Sequence, residues 1–213
     1  MKSHPIIWSV LAVAVILLSG CSTPSAQKNV SESLFNYTSA SSQYKPIVIA
    51  ASTTIPSLGA SGYITYENPT YNIKMQYPSY LTKQEESSGD VVFFLSPQNS
   101  TTDAFPANLN ILVQNISSQP MSLEEFTNQS VIQIRDMVPD YVISDSRKAT
   151  LAKEDAYLLS YTGTQGLLKL KWMSVYTIKN DTLYLITYTA GADKFLNYLP
   201  TVNKMLDSFE ITG

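Results

Sequence analysis

Histidine and cysteine are almost missing from this 213-residue chain, and both stop early. The one histidine is His4 and the one cysteine is Cys21. Catalysis by Ser-His-Asp or Cys-His groups needs an imidazole beside the nucleophile, and nothing after residue 21 supplies one. Zinc sites built from Cys and His fall with it. A lone cysteine has no partner, so no disulfide forms within the chain and stability must come from an apolar core. The eight glycines form neither a phosphate-cradling loop nor a dinucleotide fingerprint, and EF-hand spacing is absent. Charged residues make up only 15% of the chain and the net charge is −3. Phosphate-backbone binding needs clustered Lys and Arg, so nucleic acid is excluded as a partner.

Long hydrophobic runs are also scarce, and the exception is informative. Ile6 to Leu18 is apolar for thirteen residues, preceded by Lys2 and followed by Ser19-Gly20-Cys21. That is a signal peptide in three parts: positive start, short apolar middle, small residues at the cut. A permanent span needs about 20 apolar residues to cross roughly 30 Å of hydrocarbon, and this run is shorter. Cys21 sits where acylation chemistry wants it, so the expectation is a lipoprotein signal over residues 1–20, cleaved before a lipidated Cys21. A thioether-linked diacylglycerol supplies two chains, enough for stable anchoring. Removal of residues 1–20 leaves 13 basic and 17 acidic residues, a net charge of −4. Asn-x-Ser/Thr sequons begin at Asn29, Asn36, Asn99, Asn115, Asn128 and Asn180. They fit a glycosylating archaeal cell surface, and equally an exported protein rich in Ser, Thr and Asn.

Residues 21–61 read as a tether, rich in Ser, Thr and Ala and lacking a sustained period of 2 or 3.6. About 40 such residues reach roughly 35 Å as a coil. Pro46 to Ala50 interrupts them with a short apolar stretch that offers an edge strand. Residues 62–213 are one domain's worth. Strands are expected at Tyr63–Tyr66, Tyr71–Tyr77, Val91–Leu95, Asn108–Gln114, Tyr157–Tyr161, Leu168–Ile178 and Thr182–Thr189. The last is apolar on both faces and belongs in the middle of a sheet, joined to its predecessor by an Asn180-Asp181 turn. Ser122-Leu123-Glu124-Glu125 matches a capping box and opens a helix whose stripe runs Leu123, Phe126, Val131, Ile134, Val138 before Pro139. A second helical stripe, Phe195, Leu199, Val202, Leu206, Phe209, contains Pro200, which should kink it or start a new piece. The fold class expected is α+β: a twisted, mainly antiparallel sheet with helices on both sides.

Carboxylates are the remaining chemistry. Glu85 and Glu86 with Asp90, Glu154-Asp155, and Asp136 with Asp140 are the groups for a calcium site or an acid/base pair; a solvated surface is the simpler account of each. The first two groups are expected in turns and the third at a helix end. Fourteen tyrosines suit strand faces and rims, and an exposed group of them would suit a sugar, quinone or partner protein. Trp172, with Leu168, Leu170 and Tyr176 on its face, reads as core; Lys169 and Lys171 lie opposite.

Tyr66-Glu67-Asn68, Tyr71-Asn72-Ile73-Lys74-Met75-Gln76-Tyr77-Pro78, Val91 to Pro97, Asp181 to Ala190 and Leu206-Asp207-Ser208-Phe209 come in an order that resembles PsbP-like domains across residues 62–211. The resemblance implies an α/β/α sandwich around an antiparallel sheet. It also implies relatives as different as an extrinsic photosystem II subunit that supports calcium and chloride retention, assembly factors, and a nuclear Ran-binding protein. The segment before residue 62 does not match the family's photosystem-docking start, and Tyr80 stands where a Trp often follows the proline. No family metal ligands carry over. The expectation is a non-catalytic, lipid-anchored domain on the outer face of the cell membrane of an archaeon or bacterium, binding a protein partner or small ligand. The alternatives are a calcium- or manganese-binding accessory protein, with Glu85, Glu86 and Asp90 as its ligands, and a small carboxylate hydrolase.

Overall fold

Apolar residues at alternate positions, and from Leu183 to Ile186 at every position, dictate a sheet with two buried faces. The computed structural model describes residues 62–87, 89–97 and 105–213; the leader, Cys21, the tether and Pro46–Ala50 lie outside them. The strands run β1 (Tyr63–Asn68), β2 (Ile73–Pro78), β3 (Thr82–Glu85), β4 (Val91–Leu95), β5 (Asn108–Asn115), β6 (Val142–Leu151), β7 (Glu154–Gln165), β8 (Leu168–Lys179), β9 (Thr182–Gly191) and β10 (Glu210–Ile211). Helix α1 (Leu123–Met137) lies between β5 and β6, and α2 (Phe195–Asp207) between β9 and β10. Seven strands pair in the order β3-β4-β5-β9-β8-β7-β6, and β1-β2-β10 form a smaller sheet. All pairings are antiparallel. The protein is thus a mainly antiparallel sheet protein with two helices.

β9 occupies the centre of the large sheet, as its two-faced apolarity requires. Its alternate residues divide the core. Leu183 and Leu185 pack with Val91, Phe93, Tyr161, Trp172, the α1 residues Phe126 and Ile134, and Val138 just beyond that helix. Tyr184, Ile186 and Tyr188 pack with Val92, Phe94, Val175 and the α2 residues Phe195, Val202 and Met205. The small sheet joins the second cluster through Tyr66, Ile73, Met75 and Tyr77. Each fully buried side chain of this size contributes about 1.5–3 kcal/mol relative to exposure.

Local signals and structure agree at several points. Ser122 Oγ accepts the Glu125 amide at 3.1 Å, and the Ser122 amide donates to Glu125 Oε2 at 2.8 Å. Both halves of the capping box are present. Replacing Ser122 with alanine removes one half and is expected to cost about 1 kcal/mol, read from the urea midpoint; an unchanged midpoint would contradict it. Asn180 and Asp181 turn with φ of 50° and 55° between paired Lys179 and Thr182, a type I′ hairpin.

Other elements differ from expectation. α2 runs unbroken through Pro200. Pro200 and Leu196, whose carbonyl a residue there would normally bond, are both exposed, so the missing hydrogen bond sits beside water rather than in the core. β3, β6 and β10 carry no clear sequence signal. The first two are the edges of the large sheet, where backbone pairing on one side suffices and charges such as Lys83, Arg147 and Lys148 blunt the free side. Glu154 and Asp155 are not in a turn: they open β7, and Ala152 and Lys153 make the turn with φ of 51° and 68°.

Candidate functional site

The carboxylates singled out from the sequence lie around the β3–β4 connection. Glu85 ends β3, Glu86 follows it, and Asp90 precedes β4. Glu85 Oε1 accepts the Tyr66 hydroxyl at 2.8 Å and an Asn68 Nδ2 hydrogen at 3.3 Å, while Oε2 accepts Lys83 Nζ at 3.1 Å. Asn68 Nδ2 also donates to the Gly89 carbonyl at 3.2 Å, and its Oδ1 accepts the amides of Thr70 and Tyr71. A polar knot therefore ties β1 to the edge of the large sheet. The bond from Tyr66, aided by Lys83, holds the Glu85 carboxyl below the usual carboxylate range. Burial, with Glu85 nearby, pushes the Tyr66 phenol up to about 12. Neither group exchanges a proton near neutrality, where an acid/base catalyst must. Both Glu85 oxygens are engaged, and among the described residues no group of three or more His, Cys, Asp or Glu side chains is placed to hold a metal.

The other carboxylates are dispersed. Glu154 pairs with Lys179 at 3.3 Å, and Asp136, in the last turn of α1, pairs with Arg135 at 3.3 Å. Asp140 lies beyond the helix, in the turn after Pro139, with φ of 55°. Lys171 Nζ stands over the Phe195 ring at 4.9 Å, and Lys169 is exposed.

A second polar region was not visible in the pattern. Asn108 and Asn110, which alternate with Leu109 and Ile111 along β5, are 5% and 3% exposed. Register puts Asn108 opposite Thr189 and Thr189 opposite Trp172; it puts Asn110 opposite Thr187 and Thr187 opposite Ser174. Cross-strand partners share a face, so these residues form two polar rows on the face that α1 covers. Ser174 and Thr187 bond each other at 3.1 Å. Trp172 Nε1 and Thr189 Oγ1, both in buried residues, have no hydrogen-bond partner among the described residues, nor has Gln129 Oε1 on α1. The six-membered ring of Trp172 lies toward Gly163, where an added Cβ would come within 3.6 Å of its Cζ3 and overlap Val138. Nε1 is on the opposite edge of the indole. The two that lie on opposed residues, the Trp172 N–H and the Thr189 hydroxyl, do not titrate. That set suits a neutral polar atom, a water or a ligand carbonyl, and does not suit proton transfer. Opposed Asn/Asn and Thr/Thr pairs at i, i+2 on β5 and β9 were the one signal available in the sequence.

The comparisons with known proteins agree with this architecture. By sequence, no curated protein matches the chain. Among solved structures the chain is similar to cyanobacterial PsbP (CyanoP) from Synechocystis, with a TM-score of 0.54 at 13% identity over 75% of this chain and 98% of that one. It is also similar to LpqN, involved in cell envelope biogenesis of Mycobacterium tuberculosis, with a TM-score of 0.51 at 12% identity over 73% and 93%. The Saccharomyces cerevisiae Ran-binding protein Mog1p gives a TM-score of 0.50 at 10% identity over 72% and 97%. At these identities the likeness is one of fold. The family described as PsbP-like protein matches residues 50–211, most of the sequence and nearly all of the described domain. The chain belongs to the PsbP-like family.

Proposed function

We propose that this protein is a lipid-anchored, non-catalytic PsbP-like domain that binds a protein partner or a small neutral ligand at the outer face of the cell membrane. Its helices and sheet make the α/β/α sandwich of that family, with α1 and α2 contributing to different faces. The observation that carries the reading is the run Ile6–Leu18 closed by Ser19-Gly20-Cys21, which sets a two-chain anchor ahead of the tether. The polar rows on the α1 side of the sheet support binding rather than catalysis, because Trp172 Nε1 and Thr189 Oγ1 there hydrogen-bond but do not titrate. Three of the carboxylates singled out support it too: Glu85 is held in the knot with Tyr66, Asn68 and Lys83, and Asp136 and Glu154 are held in surface pairs. A relative in fold that binds Ran and one involved in cell envelope biogenesis fit a binding module outside catalysis.

The test is mass spectrometry of the protein isolated from membranes. The expected amino terminus is Cys21 carrying diacylglycerol, and Cys21→Ala is expected to leave the membrane fraction. An intact, unmodified leader would overturn the reading, as would turnover of a substrate by the purified protein.

A further inference from the structure

Apolar side chains are exposed unevenly on this domain. Of the seven large ones that stand in water among the described residues, four lie toward one end of the large sheet: Val142 and Leu167 on its strands, Met137 and Leu196 on the helices of its two faces. The backbone brings them there. β7 and β8 pair as far as Gln165 and Leu168, whereas β6 stops opposite Thr162 and β9 opposite Leu170. The Thr164 amide donates to Pro139 O and the Ala192 amide to Lys169 O, so the α1–β6 and β9–α2 connections buttress the hairpin. Residues 165–168 project beyond both. Gly166, with φ of 61°, takes the first turn position and Leu167 the second, as in a type II′ turn. Nothing in that geometry demands leucine, yet Leu167 is fully exposed at the tip.

We infer that this hairpin tip is a lipid-facing wedge: Leu167 dips into the interface of the bilayer that carries the anchor, with Met137, Val142 and Leu196 resting around it. The inference builds on the lipid-anchor reading. A single leucine fully exposed on a protruding tip fits fluid lipid better than a protein pocket, since its burial there is favourable without a shaped receptor. Lys169 stands two residues from Leu167 and is exposed, and a long stem at that position can follow the tip into the interface while its charge stays with the headgroups. The opposite end of the same strands carries sugar-acceptor sequons instead. Asn115 ends β5 opposite Thr182, and Asn180 sits in the β8–β9 turn beside it; both are exposed. Ten residues of β9 separate that end from the leucine end, roughly 30 Å along the strand. A domain with its leucine in lipid holds these asparagines outward.

The experiment places an environment-sensitive fluorophore on the full, acylated chain in phosphatidylcholine–phosphatidylglycerol vesicles, through Leu167→Cys in one sample and Ser118→Cys, at the sequon end, in another. Both positions are exposed, so neither substitution strains the fold. The expected result is co-flotation of both, with blue-shifted, intensified emission from position 167 and aqueous emission from position 118. If both float and both read water, the wedge is wrong and the anchor stands. If neither floats, the anchor and the wedge fail together.

Discussion

Between about pH 10 and about pH 12 this protein is expected to lose its fold cooperatively, and a subset of its tyrosines to ionise only as it does so. Tyr66, Tyr161, Tyr176 and Tyr188 are each 4% exposed or less. Burial is the largest cause acting on each and penalises the phenolate; it raises Tyr66 to about 12 and the other three further. Hydrogen bonds do not cancel it. Tyr188 donates to the Phe195 carbonyl at 2.8 Å, a bond that ionisation destroys, and Tyr176 shares 2.7 Å with Thr127 Oγ1. In the unfolded chain the same phenols release their protons near pH 10. Below that pH both states are protonated and the full stability is present. Above it only the unfolded state sheds protons, so stability falls until the folded pKa values are reached. Each unit of separation is worth about 1.4 kcal/mol, and four such groups act on a total of about 5–15 kcal/mol. The check is to follow phenolate absorbance and far-UV circular dichroism together through the titration. All fourteen tyrosines ionising near pH 10 with the dichroism unchanged would refute it. The acid side is gentler: the lowered Glu85 pKa gives stability present above the ordinary carboxylate range and lost as pH falls through the folded value.

The elements that sequence alone located most firmly are those whose faces or ends carry their own signal. β9 was placed centrally because Leu183 to Tyr188 leaves no face for water, and α1 because its cap, stripe and stop agree. β3 and β6 were missed for the converse reason. Thr82 to Glu85 is exposed throughout, and β6 buries only Leu151 fully; their partners impose the strand. The turn after β6 was misplaced because Ala152 and Lys153 adopt positive φ without the Asn or Gly that advertises it. The acidic knot was half legible. Glu85 stood out as a charge, but its partners Tyr66 and Asn68 come from β1, and only tertiary structure joins the two sheets there. The polar rows were the least legible part. An asparagine at alternate strand positions reads as a wet face, and whether it is wet depends on what the tertiary fold lays over that face.

Trp172→Ala is expected to cost about 3–5 kcal/mol, close to the whole stability of a marginal domain. Trp172 is 1% exposed, the largest of the fully buried side chains, and it joins three elements. It stacks on Tyr161 of β7 at 5.0 Å and 15°, packs in the same cluster as Val138 at the end of α1, and lies opposite Thr189 of β9. Its removal leaves a cavity under α1 that the paired strands are too constrained to close. Trp172→Phe separates packing from the orphaned indole N–H. Phenylalanine keeps the aromatic stack and deletes a buried donor whose missing bond costs about 1–3 kcal/mol. The gain offsets part of the lost volume, so Trp172→Phe is expected to stay within about 2 kcal/mol of the parent. Urea unfolding followed by far-UV circular dichroism reads both variants without relying on the fluorophore they remove. A loss below about 1 kcal/mol for alanine would deny Trp172 its place in the core. A phenylalanine variant as weak as the alanine one would mean that Nε1 is bonded in solution, to a water or a ligand held between the sheet and α1.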